Sequence, residues 1–266
     1  MDVLVWNMQH DERNWRLLRD GAELEADIHV LCEAPKPRKP IAAVGEWRTV
    51  GLDDDLPLDR QRADRPWSTA VAARSGPAYI TDARMARGYQ LPALLPFKPS
   101  RPGSWTAARV KAGTSMITVI ALYGLMDEKS DASIHRSLSE LSPIFDHRKY
   151  GKDVLLGGDF NIVANPRSDD PAAGRHLAVL ARLEAYGLVN CLDQAERLET
   201  DRFMDCPCGE RPCTRHWRTY RRKGAAAYQE DYLFASRRML RKLTGCEVLP
   251  FRPSSEHAPL RASFSG

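Results

Sequence analysis

The apolar run Val154-Leu155-Leu156 leads directly into Gly157-Gly158-Asp159-Phe160-Asn161. A run this short, closed by a polar turn, predicts a buried strand rather than a helix. Strand ends are where α/β folds build their sites. The paired glycines permit close backbone approach or dihedrals that other residues avoid. Asp159 and Asn161, one residue apart, share a face of extended chain. The carboxylate can take a proton while the amide donates a hydrogen bond to the same bound group.

The pattern recurs along the chain. Val3-Leu4-Val5-Trp6 ends in Asn7, and Ile28-His29-Val30-Leu31-Cys32 ends in Glu33. The run from Met116 to Leu122 ends in Tyr123-Gly124. Glu230-Asp231-Tyr232-Leu233-Phe234 sets an acid at the start of a strand, and Ser254-Ser255-Glu256-His257-Ala258-Pro259-Leu260 precedes the last apolar stretch. Polar groups at the ends of strands, from first to last, predict one site assembled from the whole chain.

This ordered set, from Asn7 to His257, resembles the endonuclease/exonuclease/phosphatase superfamily, which includes abasic-site endonucleases, exonuclease III, DNase I and sphingomyelinases. Gly-Asp-Phe-Asn, followed at a distance by Ser-Glu-His-Ala-Pro-Leu, carries the resemblance. Tyr123 is similar to the exonuclease III and abasic-endonuclease branch, whereas DNase I and the sphingomyelinases tend to have histidine there. The resemblance implies a four-layer αββα sandwich of two mixed sheets with outer helices. It implies a phosphodiesterase that hydrolyses nucleic acid by in-line attack of water, with Mg²⁺ or Mn²⁺. Asp159 would orient or deprotonate the water, and Asn161 would hold the phosphate or the nucleophile. His257 would face a non-bridging phosphate oxygen, with Asp231 fixing its tautomer. Tyr123 would assist the phosphate or the leaving group. Glu33 is the leading metal ligand, with Asn7 on the metal or orienting Glu33. Glu256, a third candidate metal ligand, stands where the family has aspartate, and its extra methylene moves the carboxylate by about a bond length.

The chain has 266 residues, of which 43% are hydrophobic and 28% charged, and reads as one domain over 1–266. Its net charge of +4 suits a phosphate-rich partner without requiring one. Arg215, Arg218, Arg221, Arg222 and Lys223 crowd one stretch. Arg218, Arg221 and Arg222 are candidates to track a nucleic-acid backbone, DNA ahead of RNA, with Trp105 as a candidate base-stacking residue. A small nucleotide or lipid-type phosphoester is the alternative substrate, and non-catalytic nucleic-acid binding the alternative function. No apolar run approaches the roughly 18 residues a membrane span needs. Val3-Leu4-Val5-Trp6 is too short for a signal-peptide core. A monomeric cytoplasmic protein is therefore expected, with its six cysteines reduced. Cys206, Cys208, Cys213 and His216 fall within eleven positions and form a candidate structural Zn²⁺ site.

Helices are expected after Asp11 as N-cap (through Trp15, Leu18 and Ala22), over Ile134, Leu138, Leu141 and Phe145, and over Leu177, Leu180, Leu183 and Leu188. Residues 51–66 and 84–103 read as polar or Pro/Gly/Arg-rich loops. Short strands fill most of the remainder.

Overall fold

The structure, a computed structural model, describes residues 1–36, 47–52, 67–80, 97–126, 130–195, 203–223 and 226–266. Most of the expected loops over 51–66 and 84–103 lies outside these residues.

Two six-stranded mixed sheets carry the fold. The first is built from β1 (Asp2–Asn7), β2 (Ile28–Pro35), β3 (Arg48–Val50), β4 (Trp67–Ala73), β13 (Leu243–Val248) and β14 (Leu260–Phe264), in the order β13-β14-β1-β2-β4-β3. The second contains β5 (Ala78–Tyr79), β6 (Trp105–Ala112), β7 (Ser115–Leu122), β8 (Val154–Asp159), β9 (Leu188–Asn190) and β12 (Asp231–Ser236), in the order β5-β6-β7-β8-β12-β9. A two-stranded ribbon joins β10 (Tyr220–Arg221) to β11 (Ala227–Tyr228). Among the described residues, each sheet has one parallel pair near its middle, β1 with β2 and β7 with β8.

Side-chain alternation sorts these strands into layers. Val3, Val5, Val30, Val119, Ala121, Leu155 and Leu233 point between the sheets into one core. Leu4 and Trp6 point outward, onto Trp15 and Leu18 of α1 (Arg13–Asp20). Ile120, Leu122, Val154 and Leu156 face the opposite way, onto Ile134, Leu138 and Leu141 of α2 (Ser130–Phe145) and Val179 and Leu183 of α3 (Ala173–Ala185). Helix, sheet, sheet and helix make the αββα sandwich expected from the resemblance. A short α4 (Arg237–Leu240) follows β12. No helix among the described residues is long and apolar enough to cross a membrane.

Two helix expectations shift. Asp11 does not cap α1 as its N-cap residue, which is Glu12; its Oδ1 instead accepts the Arg13 backbone N–H at 2.8 Å. In α3 the buried face is His176, Val179 and Leu183, while Leu177 is 49% exposed and Leu188 already begins β9. The leucines follow helical spacing, but only part of the stripe meets the sheet.

Candidate active site

The ends of the two parallel pairs open on the same edge of the sandwich. Asn7 closes β1, Asp159 closes β8, and Tyr123 follows β7. Asp231 opens β12 directly opposite Asp159 in register. His257 precedes β14, held by a bridge to Tyr220.

Glycines make this convergence possible. A Cβ at Gly157 would lie 2.8 Å from Val5 Cγ2 on the facing sheet. Gly158 has φ +143°, and a Cβ there would lie 2.1 Å from Leu122 O and 2.7 Å from Cys32 Sγ. Without these side chains β8 closes on the first sheet, and the Asp159 N–H meets Cys32 Sγ at 3.3 Å. Among the described residues, the non-glycine positions with positive φ are Gln9, His10, Glu33 and Asn161. Gln9 and His10 follow the end of β1 and Asn161 the end of β8, whereas Glu33 lies inside β2, which runs on to Pro35 instead of stopping at Glu33 as its apolar run suggests. Left-handed backbone costs such residues about 1–3 kcal/mol each and gathers where surrounding structure imposes it, often at functional sites. At Glu33 it coincides with a register shift between β2 and β4, bounded by Leu31 and Ala34. Such irregularities re-aim side chains beside sites.

The polar side chains form one connected set. Asn7 Nδ2 donates to Asp159 Oδ2 at 2.8 Å and to Glu33 Oε1 at 3.2 Å. Glu33 Oε2 lies 2.5 Å from His10 Nε2, and Glu33 also accepts from the Tyr123 hydroxyl. Trp67 packs edge-on against Tyr123 and stacks on His10. The Asn161 backbone N–H donates to Asp159 Oδ1 at 2.8 Å, and Asn161 Nδ2 donates to Gly124 O at 2.9 Å. His257 Nδ1 meets Asp231 Oδ2 at 2.9 Å, while Nε2 lies 3.7 Å from Asp159 Oδ2. Ser255 Oγ ties the end of β1 to the segment before its neighbour β14: it donates to Asn7 O at 2.9 Å and accepts the His257 N–H at 3.1 Å.

Burial sets the electrostatics. It pushes the Asp159 carboxyl up to about 7, with Asp231 adding and His257 opposing. Burial pulls the His257 imidazole down, but Asp231 and Asp159 outweigh it and raise it to about 10. Burial also raises Glu33, yet hydrogen bonds from His10, Tyr123 and Asn7 prevail and hold it below its ordinary value. The Tyr123 hydroxyl is raised by burial and by Glu33, so it stays a donor. Asp231 Oδ1 is buried and meets no hydrogen-bond donor among the described residues. One donor atom from each of Asp159, Asp231 and His257 lies within 4.8 Å of the others. Such an array takes a proton, holds an oxyanion, and presents hard oxygen ligands to a cation.

The structure thus brings together Asn7, Glu33, Tyr123, Asp159, Asn161, Asp231 and His257. Glu256 joins through its backbone: its N–H donates to Gln9 Oε1 at 2.8 Å and its carbonyl accepts from Arg221 N at 3.0 Å. Trp105 corrects the sequence expectation. It is 1% exposed, its indole donates to Glu140 Oε2 at 2.8 Å, and it packs in the core beneath α2, so it offers no face to a base. Arg218 is drawn to Asp205 at 2.6 Å and lies over the Phe203 ring. Arg221 and Arg222 are exposed, with Arg221 over Phe251.

The sequence pattern does not single out His10 or Thr219, and it includes Glu230 and Ser255 without giving either a role. Burial, then Asp159, pushes the Glu230 carboxyl up to about 8. Its backbone N–H and that of Asp231 both donate to Thr219 Oγ1 at 3.0 Å. The acid pair Glu230-Asp231 was the visible signal; the backbone turn that buries both was not.

No family model matches the chain, and no curated protein matches it by sequence. Solved structures do. An AP endonuclease from Archaeoglobus fulgidus is 17% identical, with a TM-score of 0.65 and all of both chains covered. A 3′ phosphatase, NExo, from Neisseria, bound to product DNA hairpin, is 18% identical, with a TM-score of 0.62 and all of both chains covered. The catalytic domain of Xenopus laevis APE2 is 13% identical, with a TM-score of 0.65, 99% of this chain and 91% of that one covered. The fold is therefore that of the endonuclease/exonuclease/phosphatase proteins.

Proposed function

We propose that this chain is a divalent-metal-dependent phosphodiesterase that hydrolyses nucleic acid, DNA ahead of RNA, by in-line attack of water. One observation carries the reading: Asp159, His257 and Asp231 form a buried line beside Asn7, Asn161 and Glu33, at adjoining ends of two sheets. The resemblance and the DNA-acting structural neighbours support it.

The donor set fits a hard cation. Glu33, Asp159 and Asp231 concentrate three carboxylates, and the orphaned Asp231 Oδ1 is costly to bury without a ligand or water. Glu33 would hold Mg²⁺ or Mn²⁺, with Asn7 beside it, once His10 releases Oε2. Bound there, the cation supplies charge neutralisation at the phosphate and a more acidic water.

The remaining roles belong to the chain. Asp159, with its carboxyl poised near neutrality, accepts the proton of the attacking water. Asn161 and Asn7 fix that carboxylate from two sides, so its free lone pair keeps one direction. His257 holds a proton on Nδ1 toward Asp231 and presents Nε2 to the phosphate oxygen as the pentacoordinate charge develops. Tyr123, once its hydroxyl turns from Glu33, would donate to the departing oxygen.

A substrate panel tests this reading: plasmid, abasic duplex, duplex with a 3′-terminal phosphate, single strands, RNA and a chromogenic diester, each with Mg²⁺ or Mn²⁺. Metal-dependent cleavage of DNA that falls steeply with salt is the expected result. Activity confined to the small diester, insensitive to salt, would overturn the nucleic-acid assignment.

A further inference from the structure

We propose that Cys206, Cys208, Cys213 and His216 bind one structural Zn²⁺, and that this site braces the strand bearing Asp231. The inference does not depend on the phosphodiesterase reading.

The four donor atoms, three Sγ and one imidazole nitrogen, all lie within 4.8 Å of one another. Cys208 Sγ and Cys213 Sγ are 3.7 Å apart, Cys206 Sγ and His216 Nδ1 3.7 Å, and Cys213 Sγ and His216 Nδ1 3.3 Å. A tetrahedral zinc with Zn–S of about 2.3 Å and Zn–N of about 2.0 Å requires S···S of about 3.8 Å and S···N of about 3.5 Å along its edges. The observed separations are close to those edges. They are far from a disulfide, whose sulfurs are about 2.05 Å apart.

The second coordination layer is also present. Asn165 Nδ2 donates to Cys206 Sγ at 3.3 Å, and the His216 backbone N–H donates to Cys213 Sγ at 3.4 Å. N–H groups aimed at sulfur stabilise the thiolate that a metal requires. Phe203 and Ala227 pack on the cysteines and keep the cluster dry. Regular secondary structure does little to hold this segment: among the described residues, the 203–216 stretch forms one isolated backbone bridge, Phe203 with Cys213.

The site connects to the catalytic strand in two steps. Asn165, while donating to Cys206, accepts the Gln229 backbone N–H on Oδ1 at 2.9 Å. Gln229 Oε1 accepts the Trp217 N–H at 2.9 Å, and Gln229 O accepts from Ala164 at 3.0 Å. Gln229 lies two residues before Asp231. A metal at the four donors fixes Cys206, and through Asn165 the approach to β12. Zinc, with its preference for thiolate and imidazole, suits this set; the oxygen-rich cleft suits a harder cation.

Metal analysis and cobalt spectroscopy on the full chain test the proposal. Protein from zinc-supplemented cultures is expected to hold about one zinc per chain. That zinc should survive excess Mg²⁺ and leave on treatment with a thiol-blocking mercurial. Co²⁺ added to reduced, stripped protein should give thiolate charge-transfer and tetrahedral ligand-field bands. Cys208→Ser, the half-buried ligand and so the mildest change, should abolish both. Purified protein without zinc and without a cobalt–thiolate spectrum would overturn the proposal, as would a Cys208→Ser chain that keeps its zinc and its spectrum.

Discussion

His257 Nδ1 and Asp231 Oδ2 stand 2.9 Å apart, both buried, although 26 positions separate them in the chain. Asp159 lies on the other side of the ring, 3.7 Å from Nε2. A histidine between two buried carboxylates is held in one orientation and biased toward its charged form.

That bias is measurable. In metal-free protein the His257 imidazole should titrate near 10, well above its ordinary 6.5. Asp231→Asn keeps the shape but removes the larger stabilising charge. The titration, followed by NMR, should then move down substantially, and turnover should fall by about 10²-fold or more. An unmoved titration would detach Asp231 from the role assigned to it.

Stability of the metal-free chain should fall as pH rises. Folding raises His257 from 6.5 to about 10, Asp159 from 3.8 to about 7 and Glu230 from 4.5 to about 8. In each case the folded state binds more protons than the unfolded one, so stability is fullest below the unfolded pKa and is lost through the folded one. Urea midpoints should therefore decline from about pH 5 to about pH 9. Added Mg²⁺ should restore part of the loss at the alkaline end. A midpoint that rises across the same window would contradict the burial of these carboxyls.

Gly158→Ala should unfold the chain more easily than Gly174→Ala. At Gly158 the backbone conformation alone costs roughly 1–3 kcal/mol, and the added Cβ would meet Leu122 O. At Gly174, inside α3, the Cβ meets nothing within 4 Å, and helix propensity predicts a gain of about 0.4–1 kcal/mol. Urea denaturation of both variants checks the contrast.

Much of the site was legible because its residues end apolar runs. Asn7, Tyr123, Asp159, Asn161, Asp231 and His257 each sit at or just beyond the point where a strand begins or stops, Glu33 sits at the irregularity inside β2, and a sandwich with parallel pairs in both sheets brings these positions to one edge. What stayed hidden depends on backbone detail. His10 reaches Glu33 because His10 and Glu33 both take positive φ, which no side-chain pattern announces. Trp105 reads as an aromatic near a basic chain, yet strand alternation turns it under α2, where Glu140 takes its indole N–H. The leucines of α3 mark the helix, but the sheet's edge decides that Leu177 stays in solvent.

Arg222 and Arg218 should separate substrate contact from scaffolding. Arg222 is exposed, and Arg222→Ala should flatten the salt dependence of DNA binding by about one unit of slope. Arg218 is occupied by Asp205 and Phe203, and its removal should leave that slope unchanged. Binding isotherms across a salt series distinguish the two.

The most direct measurement is single-turnover cleavage of a labelled DNA duplex by the wild-type chain and by folded Asp159→Asn, with Mg²⁺ and with chelator. Cleavage by the wild type that stops with chelator, and a loss of about 10²–10⁴-fold in the variant, is the expected result. Equal rates for the two proteins, or cleavage indifferent to the chelator, would contradict a metal-assisted hydrolysis with Asp159 as its base.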